Sequence, residues 1–224
     1  MSGRETRNSP VADRLRSERA RFEQRNAMAV AVSVGEQEQS RADAVGIADL
    51  SFLYKGGLKG PGAADWLQQR IGATPPPNNW LQTADGSTVA RLGGSEFFVE
   101  DAHQATLTSQ LTEGLRQPVA GVYPVVRNDA GFALTGNRIN INELLVQVCS
   151  FNFRQQPAGS VVMTSMAGVN VLALRRDAAG HPCYRIWCDP TMAAYLWDTL
   201  REIAFELGGG PVGVDMVLSA KPSV

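Results

Sequence analysis

The feature of this sequence that most constrains its fold is an internal repeat. From about residue 43 onward, each half of the chain reads as a strand, a helix, further strands and a second helix. Leu58-Lys59-Gly60 corresponds to Leu134-Thr135-Gly136, and Asp101 at a predicted helix start corresponds to Asp189, at offsets of 76 and 88 residues. The repeat predicts an α+β fold made of two similar strand–helix–strand–helix halves, with helices packed on mostly antiparallel sheets.

In the first half, turn and breaker residues separate the predicted elements. A helix opens at Pro61, and three consecutive prolines at 75–77 end it because proline has no N–H to donate. Asp85-Gly86 is a typical hairpin dipeptide. Apolar patterning predicts the rest: a strand over residues 50–54, short strands over 79–101, and a helix on which Leu107, Leu111 and Leu115 share a face.

In the second half, the most strongly signalled element is a helix over residues 190–207. Asp189 suits its N-cap, Pro190 suits its first position, and three glycines follow its end. A helix is also predicted over 137–148, strands over 160–188 with turns at 167–168 and 179–180, and a final strand over 212–219. The apolar stripe of the long helix is predicted to contain Met192, Tyr195, Leu196, Thr199, Leu200 and Ile203.

The sequence divides into three predicted segments. Residues 1–42 form a polar, arginine-rich N-terminal arm without strand patterning, and the two α+β repeats occupy 43–120 and 121–224. Within the arm, Ser9-Pro10 and the spacing of Val11, Leu15 and Phe22 are typical of a short amphipathic helix that folds against a partner. A mobile tail is the alternative interpretation.

Composition and charge exclude several classes of protein. The chain has 224 residues, 44% of them hydrophobic and 19% charged, as in globular proteins. A net charge of −1 predicts no general attraction to nucleic acid or anionic lipid. There is neither an 18-residue apolar run nor a secretory signal, so we expect no membrane span. Three cysteines cannot all pair, which favours the reducing cytoplasm.

The stretch KGGLKGPGAADWLQQR, residues 55–70, has the glycines and lysines of a phosphate-binding loop but not their spacing. A Walker loop requires lysine after its second glycine and then Ser or Thr, whereas Lys59 precedes Gly60 here. Pro61 also removes an N–H that a phosphate would use. We interpret the stretch as a strand-to-helix corner and leave Lys55 and Lys59 as contacts to a partner surface.

No set of side chains has the pattern of an active site, so we predict no catalytic, cofactor-binding or metal-binding residue on this chain. The two histidines, His103 and His181, are far apart in sequence, and Cys183 and Cys188 are five apart on a strand, on opposite faces. The other candidates have structural interpretations. Asp85 suits a turn, Asp101 suits a helix cap, and Glu96 and Glu100 flank an apolar strand. Burial is predicted for Cys149 and Cys188, and packing in a core or an interface for Trp66, Trp80, Trp187 and Trp197.

Four segments together resemble a known family. They are IADLSFLYKGGLKGPGAADWLQQ, NNWLQTADGSTVARLGGSEFFVED, GFALTGNRININELLVQVCSFNF and CYRIWCDPTMAAYLWDTLREIA, in that order within residues 44–207. They are similar to the gamma subunit of heterotetrameric sarcosine oxidase, in the superfamily of the glycine-cleavage T-protein and other folate-binding aminomethyltransferases. The chain departs from the family's Gly-Pro-Arg at Gly136-Asn137-Arg138.

The resemblance implies a partner-dependent role in the oxidative demethylation of sarcosine to glycine. The partners would be the alpha, beta and delta subunits, chiefly alpha, and these would carry FAD, FMN, NAD and tetrahydrofolate. The gamma subunit looks like a T-protein fragment without catalytic residues and without the T-protein's additional C-terminal domain. Where the T-protein has paired acids, the aligned residues here are Asp85 and Gly86, so one acid is absent.

Two alternatives remain open at this stage. One is the same role in a related complex that oxidises a different N-methyl amino acid. The other is a free-standing, folate-binding transferase of the T-protein type. The absence of a convergent set of titratable side chains favours a non-catalytic subunit over the transferase.

Overall fold

The structure, a computed structural model, describes residues 7–177 and 182–218. The helices in these residues are α1 (Ala12–Ser17), α2 (Glu38–Val45), α3 (Ala63–Ile71), α4 (Leu107–Gly114), α5 (Arg138–Val148), α6 (Pro190–Glu206) and α7 (Val214–Leu218). The strands are β1 (Ala20–Arg25), β2 (Met28–Val34), β3 (Gly46–Asp49), β4 (Lys55–Lys59), β5 (Trp80–Gln82), β6 (Thr88–Arg91), β7 (Glu96–Glu100), β8 (Tyr123–Val126), β9 (Ala130–Gly136), β10 (Val161–Met166), β11 (Val169–Arg175), β12 (Cys183–Cys188) and β13 (Gly210–Pro211).

The chain forms two compact units. The second unit consists of Leu53–Asn128 and Ala158–Val162, and the first contains the other described residues. The first unit is therefore built from three separate stretches of the chain. The chain passes from one unit to the other after Phe52, Asn128, Pro157 and Val162, whereas the sequence pattern predicted boundaries after residues 42 and 120.

The second unit is an antiparallel sheet covered by two helices. Its strands lie in the order β5-β6-β7-β4-β8, each antiparallel to its neighbours. Leu58 of β4 and Phe97 of β7 share one buried core with Trp66 of α3 and Leu111 of α4. The predicted helical face of Leu107, Leu111 and Leu115 is confirmed, with Leu107 and Leu111 fully buried.

The first unit contains a six-stranded sheet in the order β10-β11-β12-β9-β3-β13. β12 pairs antiparallel with β11 and β9, β3 pairs antiparallel with β9, and the short β13 pairs parallel with β3. The core includes Phe132 and Ile186 from the sheet, Leu144 from α5 and Trp197 from α6. The Phe132 and Trp197 rings pack with their centroids 5.3 Å apart.

The strand order confirms both the internal repeat and the predicted α+β class. The order β5-β6-β7-β4 in one unit corresponds to β10-β11-β12-β9 in the other. The helices also follow the same strands: α3 follows β4 as α5 follows β9, and α4 follows β7 as α6 follows β12. Each half of the chain therefore reaches the same antiparallel topology from the same sequence of elements.

The N-terminal residues contain more structure than their composition indicated. The helix prediction is confirmed over α1, whose Leu15 lies in the first unit's core together with Val11, the residue before the helix, but the helix ends at Ser17. Phe22, assigned to the same helix, lies instead on β1 of a β1–β2 hairpin that the sequence analysis missed. The hairpin was hidden because its turn uses Asn26 and Ala27 at φ of +48° and +58°, without the glycine that usually signals such a turn.

Two predicted strands are wrong. Residues 50–54 are not a strand, because the Asp49 carboxylate accepts hydrogen bonds from the N–H and hydroxyl of Ser51 and turns the chain between β3 and β4. The apolar character of Phe52 and Leu53 reflects burial within this turn. The predicted final strand is the helix α7. Its valines pack against β2 and do not belong to a sheet.

The long helix α6 is confirmed, with its cap, although its buried stripe is rotated from the prediction. Asp189 accepts hydrogen bonds from the N–H and hydroxyl of Thr191, and Pro190 opens the helix. Met192 and Tyr195 are exposed. The buried face is made by Ala193, Leu196, Trp197, Leu200 and Ala204.

Candidate functional site

The glycine-rich segment after β4 is a structural corner whose amide groups are already used. The Gly60 N–H donates to the Ser95 carbonyl at 3.0 Å. The Gly62 N–H donates to the Gly121 carbonyl at 3.0 Å, and Pro61 has no N–H. The corner therefore has no free amide cradle for a phosphate, as its spacing predicted.

The same corner occurs at the equivalent place in the first unit. Gly60 and Gly136 adopt φ of +120° and +146°. A Cβ atom at Gly60 would lie 2.2 Å from the Gly121 carbonyl oxygen, and one at Gly136 would lie 2.4 Å from that of Ala44. In each repeat, glycine is required because the strand end approaches the backbone of a neighbouring segment too closely for a side chain.

The two lysines at this corner have different environments. Lys59 is exposed and stays a candidate contact to a partner. Lys55 was expected to do the same, and that expectation is wrong because its side chain is only 2% exposed. Its ammonium lies 3.5 Å from the Glu100 carboxylate, which is 1% exposed, and donates to the Leu53 carbonyl at 2.9 Å. Lys55 therefore belongs to a buried ion pair between β4 and β7.

The acidic residues near this sheet serve structural roles, as predicted. The Asp85 carboxylate accepts hydrogen bonds from Thr83 and Ser87 within a hairpin turn. Burial raises the pKa of Asp85, but these hydrogen bonds outweigh it and leave the pKa lowered. Glu96, the strand-flanking acid, forms an ion pair with Arg127 at 2.6 Å.

Asp101 lies six residues before Leu107, the first residue of α4, and supports the start of that helix. Its carboxylate accepts bonds from both the N–H and the hydroxyl of Thr108, at 2.8 and 2.7 Å. Burial raises its pKa, and the bonds from Thr108 oppose this change. Each carboxylate oxygen accepts one bond from Thr108, so Asp101 has a structural role at the start of the helix.

The cysteines in the described residues are buried. Burial raises the pKa of the Cys188 thiol to about 12 and also raises that of Cys183, so neither is a thiolate at neutral pH. Cys149 is a core residue, as predicted. His103 is exposed, and His181 and the predicted 179–180 turn lie outside the described residues.

Within 7–177 and 182–218, no group of three or more His, Cys, Asp or Glu side chains could hold a metal ion. Trp66, Trp187 and Trp197 are buried, as a core role requires, and Trp80 is partly buried. The Trp66 ring is covered by the Arg70 guanidinium at 3.5 Å from its centroid.

Exposed apolar side chains are the features best suited to binding another protein. On α5, Ile139 and Val146 are 79% and 64% exposed and lie two helical turns apart, on one side of the helix. On α6, Met192 and Tyr195 lie three residues apart and are also exposed. In the second unit, Val126 of β8 is 85% exposed. The sequence patterns of α5 and α6 did not distinguish these outward residues from the core residues beside them.

The helices in the part of the chain that the structure describes are too short or too polar to cross a membrane. The sequence matches no protein-family model and no curated protein.

Two solved structures are similar to this chain. The glycine cleavage system aminomethyltransferase T from Bartonella henselae has 14% sequence identity and a TM-score of 0.76, over 95% of this chain and 61% of that protein. A chain of the heterotetrameric sarcosine oxidase from Corynebacterium sp. U-96, solved in complex with pyrrole 2-carboxylate, has 20% identity and a TM-score of 0.66 over 91% of this chain and 97% of that chain. This chain thus spans about three fifths of the aminomethyltransferase and has the fold that both proteins share.

Proposed function

We propose that this chain is the gamma subunit of a multisubunit oxidase of the sarcosine oxidase type and that it stabilises the alpha subunit. The complex would demethylate sarcosine oxidatively to glycine, releasing the methyl carbon as formaldehyde or transferring it to tetrahydrofolate, with hydrogen peroxide as the reduced product of oxygen. In this proposal the chain itself carries no catalytic residue.

The observation that carries the proposal is the matching extent of this chain and one chain of a heterotetrameric oxidase. Their alignment covers 91% of one and 97% of the other, so the likeness extends over nearly a whole subunit. The aminomethyltransferase, by contrast, continues well beyond the aligned part, with 61% of its length covered. The likeness therefore takes in nearly all of one oxidase chain and about three fifths of the transferase.

The side chains described above support a non-catalytic role. The corner after β4 has its amides occupied, the Asp101 carboxylate holds a helix start, and the Cys183 and Cys188 thiols have raised pKa values. FAD, FMN, NAD and tetrahydrofolate would accordingly be held by the other subunits. Exposed apolar side chains on α5, α6 and β8 offer surface for contact with those subunits.

Coexpression with the neighbouring genes tests the proposal. The tagged chain should elute with partner subunits whose absorption spectrum shows bound flavin, and the eluted complex should oxidise sarcosine. Elution of the chain alone, combined with tight folate binding by the isolated chain, would show that it is a free-standing transferase instead. Comparison of sarcosine with other N-methyl amino acids identifies the substrate of the complex.

The α6 surface supplies a matched pair of variants for the same experiment. Met192→Glu with Tyr195→Glu places charge on an exposed apolar face and should reduce the yield of complex at least about tenfold, since charge is depleted from interface cores. Ser40→Glu adds charge to an exposed position on α2 and should leave the yield unchanged. Equal yields from both variants would exclude the α6 face from the interface.

A further inference from the structure

Two cavities lie side by side along α5 in the first unit. The larger has a volume of about 350 Å³ and the smaller about 180 Å³. Asn142 and Arg154 line both, so the cavities share a wall. Together they fall within the size range of small-molecule sites, roughly 300–1,000 Å³.

The smaller cavity is lined by three arginines. Arg175 is neutralised by Asp177, whose carboxylate it contacts through two hydrogen bonds of 2.7 and 2.5 Å. Arg138 and Arg154 have no carboxylate partner among the described residues, and each is exposed at the cavity. The cavity therefore carries two uncompensated guanidinium groups at its wall.

A buried hydroxyl lies among these charges. Tyr184 lines the cavity and is almost completely buried, and its hydroxyl lies 3.5 Å from the Phe153 carbonyl, a long hydrogen bond. Burial raises the pKa of Tyr184, while the positive charges of Arg175 and Arg138 oppose the rise. The hydroxyl therefore stays a neutral donor within the field of the arginines.

The larger cavity has a different lining. Leu145 and Val146 of α5 lie on one side, and Phe151 and Phe153 of the segment after the helix lie on the other. The two phenylalanine rings pack edge to face with centroids 4.9 Å apart, which fixes that wall. The larger cavity also has the polar residues Ser150 and Asn152 in its lining, so a cavity of mixed polar and apolar character adjoins the arginine-lined one across Arg154 and Asn142.

We propose that these two cavities form one binding site for a small organic anion. A carboxylate or phosphate would be held by Arg138 and Arg154, which present planar donor pairs suited to either oxyanion. The apolar body of the ligand would occupy the compartment between α5 and the two phenylalanines. Every side chain in the site belongs to the first unit of this chain, and Val146 is also one of the exposed apolar side chains of α5.

Isothermal titration calorimetry on the full chain, at constant low ionic strength, tests the site with four probes. They are phenyl phosphate, inorganic phosphate, phenylacetate and acetate. We expect the phenyl form of the preferred oxyanion to bind about tenfold more tightly than its unsubstituted counterpart, because the ring buries apolar surface. The pair that binds identifies the oxyanion. Absence of heat from both phenyl compounds would overturn the proposal.

Substitutions separate the two ends of the site. Arg138→Gln with Arg154→Gln should lower the affinity for the phenyl anion at least about tenfold, since both charge-assisted contacts are lost. Val146→Ser should reduce only the preference for the phenyl form. Arg116→Gln, an exposed arginine on the second unit paired with Glu113, is the control and should bind as the unaltered chain does. Unchanged affinity in the double arginine variant would show that the site does not bind the anion.

Discussion

Lys55 and Glu100 face each other across β4 and β7, with Nζ 3.5 Å from Oε2 and both side chains almost wholly buried. Removing one member of such a pair deprives the other, still buried, of its opposite charge. Lys55→Met should therefore lower the free energy of unfolding by about 3–5 kcal/mol. Urea denaturation of the purified chain measures the change.

The double variant Lys55→Met with Glu100→Leu is the informative comparison. Replacing both charges by apolar side chains of similar size should recover most of the lost stability, since neither charge then remains to be solvated. If the double variant is as unstable as Lys55→Met alone, packing and not charge explains the loss.

The two corner glycines should tolerate no side chain. Gly60→Ala and Gly136→Ala each place a Cβ atom within 2.4 Å of a backbone oxygen at a positive φ, and each should cost about 3 kcal/mol of stability. Gly94→Ala is the control, because nothing lies within 4 Å of its added Cβ, and it should change stability by less than about 0.5 kcal/mol. Equal effects at all three glycines would contradict a steric cause.

The turn of the N-terminal hairpin should be improved by glycine. Ala27 has φ of +58°, a conformation that is unfavourable for residues with a Cβ atom, so Ala27→Gly should raise stability by roughly 0.5–1 kcal/mol. The same change at Ala29, within β2, should lower stability because glycine weakens a strand. A loss of stability at both positions would argue against strain in the turn.

Asp85 should make the folded chain less stable at acidic pH than at neutral pH. Its pKa in the folded chain lies below the ordinary 3.8, so it stabilises the fold above about pH 4. The contribution is lost as the pH falls through the lowered pKa. The stability difference between the unaltered chain and Asp85→Ala, measured by urea denaturation, should thus be larger near pH 7 than near pH 3. A difference that is the same at both pH values would contradict this linkage.

The elements that could be predicted from sequence are those with local signals. Asp189 and Pro190 mark the start of α6, and the two Leu-x-Gly corners at Gly60 and Gly136 mark the repeat. Each of these depends on residues close together in the chain, so its signal survives without knowledge of the tertiary fold. The repeat in turn predicted that both halves have the same order of strands and helices along the chain.

The features that could not be predicted depend on distant contacts. Lys55 pairs with Glu100 because β4 and β7 adopt one particular register, which neither strand encodes alone. The cavities beside α5 combine three arginines from different elements. Arg138 begins α5, Arg154 lies in the short 3-10 helix that follows, and Arg175 is the last residue of β11. Val214 and Val217 are β-branched, yet residues 214–218 form a helix that packs on β2.

The interrupted path of the chain determines the order in which its sheets become complete during synthesis. The five-stranded sheet of the second unit needs nothing beyond Val126, whereas the six-stranded sheet of the first needs β13 at Gly210–Pro211. β3 emerges from the ribosome more than eighty residues before its partner β9 is finished. The five-stranded sheet of the second unit is therefore able to form before β3 has its partner β9, whereas the six-stranded sheet of the first unit is completed last.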